Sequence, residues 1–327
     1  MSAFYDSHLV LIQATLVGLV LALSVQLPLR MGVFSFAGAG SYGLGAYTAA
    51  ELVIHKNTGA LESIALTMVG TAIVGLILGL LIFRLNGLYL AMATVAFDLI
   101  IGVIALNGGT FTGSSTGLYG VLTDFSMTHM VVLTLVVLVL VAISERGRTG
   151  RRVEAVRDDP QLAASVGIHV RRYRLVAFVV SGALGGLAGA MNVMVRTTIG
   201  PLDIGFSLIV LALTMIIVGG ARSWKGAVIG AIIFTWLPDL LTVVGKWQEL
   251  IYGIVVSLAA VFLPRGIHGL SVDFIRWYQR RRRESRGAPP VALDDDAADA
   301  GGLAGAVEDG TGGSGVATRL TTSEVSS

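Results

Sequence analysis

The 327-residue chain contains no cysteine, which excludes disulfides, iron–sulfur clusters and thiolate zinc sites. Charge is scarce as well: Asp, Glu, Lys and Arg make up 13% of the residues, against about 25% in an ordinary soluble domain. No Gly-x-x-x-x-Gly-Lys-Ser/Thr phosphate loop occurs, so the chain does not bind and hydrolyse ATP by that route. The five histidines, His8, His55, His129, His169 and His268, are scattered without ligand spacing, and no metal site is expected. No nucleophile and base pair suggests a membrane enzyme. Met1 to His8 carries neither Lys nor Arg, so a cleaved secretory signal with a basic n-region is not expected.

What is abundant is apolar surface, with 54% hydrophobic residues and a mean hydropathy of +0.79. A membrane-spanning helix needs about 20 mostly apolar residues. Nine runs qualify, approximately Leu9 to Leu29, Met31 to Ile54, Ile64 to Phe83, Leu88 to Leu106, Met130 to Ile143, Tyr173 to Val195, Phe206 to Val218, Gly226 to Val244 and Leu250 to Leu263. The runs at Met130 and Phe206 are short, which widens the expected count to eight to ten. The expected fold is therefore all-α, a polytopic transmembrane helix bundle. The second run, MGVFSFAGAGSYGLGAYTAA, is rich in small residues that let helix backbones approach closely, so a tightly packed helix is preferred there over a broken one.

Basic residues accumulate in cytoplasmic loops. If the segment 145–174 is cytoplasmic and the nine runs alternate, 20 of the 23 basic residues fall inside, and only Lys56, Arg196 and Lys246 fall outside. The N-terminus is then outside and the C-terminus inside. Residues 1–270 form the transmembrane part, with 145–172 a cytoplasmic loop. Residues 271–327 form a basic segment and a tail. Trp277, Tyr278 and the neighbouring arginines suit the inner headgroup region, and the Gly-, Ala-, Asp- and Ser-rich stretch beyond about Ser285 is expected to be disordered.

The cytoplasmic loop contains EAVRDDPQLAASVGIHV, Glu154 to Val170. Asp159 followed by Pro160 is a helix start, and Gly167 suits a helix end, giving a two-turn helix from Pro160 to Val166 that exposes Ala163 and Ala164. Val153 and Val156 are spaced to share a face of a preceding helix. Two readings remain open from the residues alone: a rigid helical pair made to dock into a partner, or a solvated loop whose arginines set topology.

This segment through Met191 resembles the cytoplasmic coupling loop and following helix of permease subunits of ABC importers for branched-chain amino acids. The matching positions are Ala155, Val156, Arg157, Asp158, Asp159, Ala163, Ala164, Gly167, Ile168, Ala177, Phe178, Ser181 and Gly185 to Gly189. GLYLAMATVAFDLI, TGSSTGLYGV, PLDIGFSLIVLALTMIIVGG and LPRGIHGL resemble further family stretches, so the likeness runs from about Leu19 to Leu270. It is similar to the second of the two permease types, the one with a Thr-Gly-Gly-Ser loop. Two departures stand out: ARSWKGAV, Ala221 to Val228, replaces a small, proline-containing loop, and Asp98 stands where glutamate is usual.

The resemblance implies a plasma (inner) membrane subunit of a prokaryote that binds no cofactor itself. Two cytoplasmic ATPase subunits using ATP and Mg, a second homologous permease and an extracytoplasmic substrate-binding protein would be its partners, and nucleic acid would not. Coupling to the ATPases would fall on Glu154, Ala155, Arg157, Asp158, Asp159, Ala163, Ala164, Gly167 and Ile168. Asp98 is the only acid well inside a predicted run, where ionisation costs about 2.5 to 3.5 kcal/mol on insertion scales. It is a translocation-path candidate with Asn107, Thr110, Ser114 and Ser115, against the plainer reading of a carboxylate bonded to hydroxyls of a neighbouring helix. Alternatives are a permease for urea or short amides, and an ATP-independent channel or ion-coupled transporter, for which a single intramembrane acid is poor support.

Overall fold

The computed structural model describes residues 2–241, 245, 247–262 and 266–267. The basic segment and tail of 271–327, and most of the LPRGIHGL stretch, lie outside the described residues. Eleven helices are described: α1 (Ser2–Arg30), α2 (Ala37–Lys56), α3 (Ala60–Ile82), α4 (Gly87–Asn107), α5 (Met127–Ser144), α6 (Gly147–Asp158), α7 (Pro160–Ser165), α8 (Val170–Arg196), α9 (Phe206–Gly219), α10 (Trp224–Leu240) and α11 (Gln248–Phe262). Two short strands, β1 (Leu118–Tyr119) and β2 (Thr198–Ile199), pair antiparallel.

Each apolar run contains a helix, and among the described residues the ends differ from the expected ones by up to seven residues, at the start of α1, and by six at the start of α2. The short Met130 run gains a turn because Ser126 precedes it as N-cap, with its backbone N–H donating to His129 Nδ1 at 3.3 Å. Among the described residues, six segments are long and apolar enough to cross a membrane: those containing α1, α3, α4, α5, α8 and α9. Among the others, α2 is diluted by Gly, Ser and Thr, and α10 and α11 have 17 and 15 residues.

α8 is the central helix and packs against α1, α2 and α3. Its small-residue face makes this possible. A Cβ on Gly45 of α2 would collide with the backbone of Gly186 on α8, so the two backbones touch where lipid chains and larger side chains are both excluded. Leu21, Leu23, Phe178, Leu187 and Met191 fill the space alongside, all buried. The second run is thus interrupted at its start, over residues 31–36, and is a tightly packed helix thereafter.

α1 also supports α9 and α10, while α4 lies against α2, and α5 against α1. The outward faces of α3, α4 and α5 remain apolar and exposed, Leu81, Met92 and Leu140 among them. In water such patches would drive aggregation; facing lipid tails they are at rest.

Candidate functional site

Two polar regions occupy opposite ends of the bundle. At one end, α6 and α7 form a helical pair between α5 and α8. Asp159 closes the first helix and opens the second: its Oδ1 accepts from the backbone N–H groups of Gln161 at 2.8 Å and Leu162 at 3.0 Å. Pro160 then occupies the first helical position, where no N–H is required. At the far end of α7, Gly167 adopts φ +83°, and its N–H bonds to the Ala164 carbonyl while that of Ile168 bonds to the Ala163 carbonyl. This is the Schellman arrangement, in which a left-handed residue lets the chain satisfy its last carbonyls.

Val153, Val156 and Ala163 are buried, so the pair is seated on the bundle and is not a freely solvated loop. Ala163 therefore faces inward, contrary to the expectation from the sequence that it would be exposed. It is buried because it lies on the face of a two-turn helix that meets its own scaffold. The outward bulk comes from Leu162 and Val166, 63% and 69% exposed. Glu154, Asp158, Asp159, Ala164 and Gly167 are exposed, while Ala155, Arg157 and Ile168 are half-buried.

A second set of contacts, unforeseen from the sequence, fixes this end. Glu145, just after α5, pairs through Oε1 with Arg30 Nη1 at 2.9 Å, accepts the Trp224 backbone N–H at 2.6 Å, and is 3.3 Å from the Ser223 hydroxyl through Oε2. A carboxylate at the N-terminus of α10 is favoured by the helix dipole and its unbonded N–H groups. Gln26, fully buried on α1, donates to the carbonyls of Gly220 at 3.1 Å and Ser223 at 2.9 Å. The loop that departs from the family pattern, Ala221 to Val228, is thereby tied to α1 and to the α5–α6 junction.

Gly32, with φ +71°, brings the α1–α2 turn against Arg157, whose Cα would lie 3.2 Å from an added Cβ. Arg30, Glu145, Arg151, Glu154, Arg157 and Arg222 line a polar cleft of about 420 Å³. Nearby, Arg174 donates to Asn86 Oδ1 at 2.7 Å, and the Arg171 guanidinium lies 4.4 Å from the Phe83 ring centre. Arginines from several separate parts of the chain, Arg30, Arg151, Arg157, Arg174 and Arg222 among them, are gathered at this end.

At the opposite end, β1 and β2 join the α4–α5 loop to the α8–α9 loop, and Val121 N–H bonds to the Thr197 carbonyl at 3.1 Å. Asp203 Oδ2 accepts from Gly200 N–H at 2.8 Å. Ser114, half-buried with φ +51°, and exposed Ser115 form a 3-10 turn with Thr116, whose hydroxyl donates to the Gly113 carbonyl. The segment has a defined shape. Asn107 is exposed and caps its own helix through the Val103 carbonyl, and Thr110 is exposed on a neighbouring 3-10 turn.

Asp98 is not part of that cluster. It is 2% exposed in α4, nine residues before Asn107, or about 14 Å along a helix. Its Oδ2 has no hydrogen-bond partner among the described residues. A Cβ on Gly40 would approach the Asp98 Cα to 3.2 Å, which shows how closely α2 covers it.

Residues 8–262 match the sequence model of the family described as the branched-chain amino acid transport system permease component. The chain belongs to this family. It is 27% identical to the high-affinity branched-chain amino acid transport system permease protein LivM of Escherichia coli, over 77% of this chain and 68% of the relative. It is 30% identical to a probable branched-chain amino acid transport permease protein LivH of Methanocaldococcus jannaschii, over 74% and 84% respectively. No solved structure matches. The protein is a transport permease, multi-pass in the inner membrane, as its relatives and its six apolar helices agree.

Proposed function

We propose that this chain is one permease subunit of an ABC importer for branched-chain, hydrophobic amino acids, with nine spans, its N-terminus outside and its C-terminus inside. Two cytoplasmic ATPase subunits, which use ATP and Mg, dock on α6–α7. A second permease completes the path, and an extracytoplasmic binding protein delivers the substrate to the face formed by the β1–β2 ribbon, Ser114 and Ser115. The observation that supports this most is the seated helical pair: its buried side holds Val153, Val156 and Ala163, while Leu162, Val166 and the charged Glu154, Asp158 and Asp159 face outward.

A movement of α6–α7 has a mechanical route to the spans. Glu145 joins the start of this segment to α1 and α10, and Gly32 lies against Arg157. Closure of an ATPase pair on the exposed side drives a change of state only if the contacts differ between the states. A polar pair with several partners can provide that difference. Asp98, buried in a span with an unpartnered oxygen, is the acid most suited to acquire a partner in another state of the cycle, because a persistent orphan carboxylate is costly.

The test is purification of the chain from its native membrane in gentle detergent, with partners identified by mass spectrometry. Stoichiometric phosphate-loop ATPases, lost on changing Asp158 and Asp159 together, are the expected result. A folded chain that brings down no ATPase would contradict the reading.

A further inference from the structure

A lateral cleft of about 730 Å³ opens between α2, α3 and α4, on the end of the bundle away from α6–α7. We infer that it is a seat for a phospholipid of the leaflet on that side, with a phosphate-and-ammonium headgroup at its mouth and an acyl chain along its length.

The cleft is built for an amphiphile. Its walls are apolar, with Leu44, Leu66, Val74 and Ile104 among the lining residues, while Glu51 and Lys56 stand at the mouth with opposite charges. Lys56 is exposed and suits a phosphate; Glu51, already 3.0 Å from His55, suits an ammonium group. Gly70 keeps the cleft open, since an added Cβ would meet nothing within 4 Å.

Depth favours a lipid over a compact solute. Leu44 and Lys56 are twelve residues apart on α2, about 18 Å along a helix, while half of the hydrocarbon core is about 15 Å. The cleft thus runs from the headgroup boundary to about the midplane, the extent of one leaflet, and it opens sideways between helices whose neighbouring faces are already apolar and exposed.

The experiment is native mass spectrometry of the full chain after reconstitution with mixed phosphatidylethanolamine and phosphatidylglycerol and release into mild detergent. The chain should retain phosphatidylethanolamine in preference to phosphatidylglycerol, which lacks the ammonium group. Gly70→Phe should abolish retention by filling the cleft. Lys56→Glu, at an exposed rim where folding is not at stake, should weaken it at least about five-fold, the equivalent of about 1 kcal/mol per basic residue at a headgroup. Equal retention of both lipids, retention unchanged in Lys56→Glu, or displacement of the lipid by free leucine would overturn the assignment, the last by giving the cleft to the transported solute. Loss of a second permease from Gly70→Phe with retention unchanged would overturn it in favour of a protein interface.

Discussion

Arg30 and Glu145 lie 115 residues apart in the chain and meet at 2.9 Å, with the Glu145 carboxylate also receiving the Trp224 N–H at 2.6 Å. One side chain therefore joins the end of α1, the entry to α6 and the start of α10. Both partners are mostly buried, their side chains 11% and 16% exposed, so each depends on the other for its charge to be met.

Glu145→Ala should destabilise the protein by about 3 kcal/mol, the lower end of the range for breaking a buried pair, because one side of this pair opens on the polar cleft. Exchanging the charges, Arg30→Glu with Glu145→Arg, should restore only part of the loss, since an arginine cannot accept the Trp224 N–H. Thermal unfolding of the detergent-solubilised chain measures both. Full recovery in the exchanged protein would mean that the backbone contact contributes little.

Asp159→Ala should cost about 1 kcal/mol locally through loss of the N-cap, and Asp159→Asn much less. Hydrogen exchange at the Gln161 and Leu162 amides should accelerate in the alanine protein while that of α8 is unchanged. Equal exchange in all three proteins would show that Pro160 and the docking of Ala163 hold α7 without the cap.

Gly186→Val should be poorly tolerated. A Cβ on Gly186 would collide with the Thr71 side chain of α3, and a branched side chain there must push α3 and α8 apart, at a cost of about 3 kcal/mol or more for overpacking without room to relax. Size-exclusion profiles of the solubilised variant should show aggregation, whereas Gly102→Ala, where an added Cβ meets nothing within 4 Å, should behave as the parent. A monodisperse, stable Gly186→Val protein would contradict the packing described.

Asp98→Asn keeps the shape of the side chain and removes its charge. If Asp98 acquires a partner during the cycle, uptake should slow while assembly with the ATPases and binding protein is retained. Unchanged uptake in proteoliposomes would remove Asp98 from the mechanism.

The helices were legible because apolar length is a strong signal, and α7 was legible because Asp159, Pro160 and Gly167 each have a local backbone role. The inward turn of Ala163 was not, since a two-turn helix carries too few residues for its buried face to be read from periodicity. Glu145 and Gln26 act on carbonyls and N–H groups far along the chain, and no spacing rule reaches so far. The β1–β2 ribbon has two residues per strand, too few to show an alternation. Asp98 stood out as an acid in an apolar run, yet its separation from Asn107 and Ser114 needed the helix in three dimensions.

Because the chain has no cysteine, single-cysteine cross-linking can test the central claim without background. In membranes containing the whole transporter, Leu162→Cys and Val166→Cys should each cross-link to an ATPase subunit, with a yield that changes when ATP is trapped. Val153→Cys, on the buried face, should not. A folded, membrane-inserted protein whose positions 162 and 166 reach no ATPase would contradict the account of α6–α7 as the surface through which transport is driven.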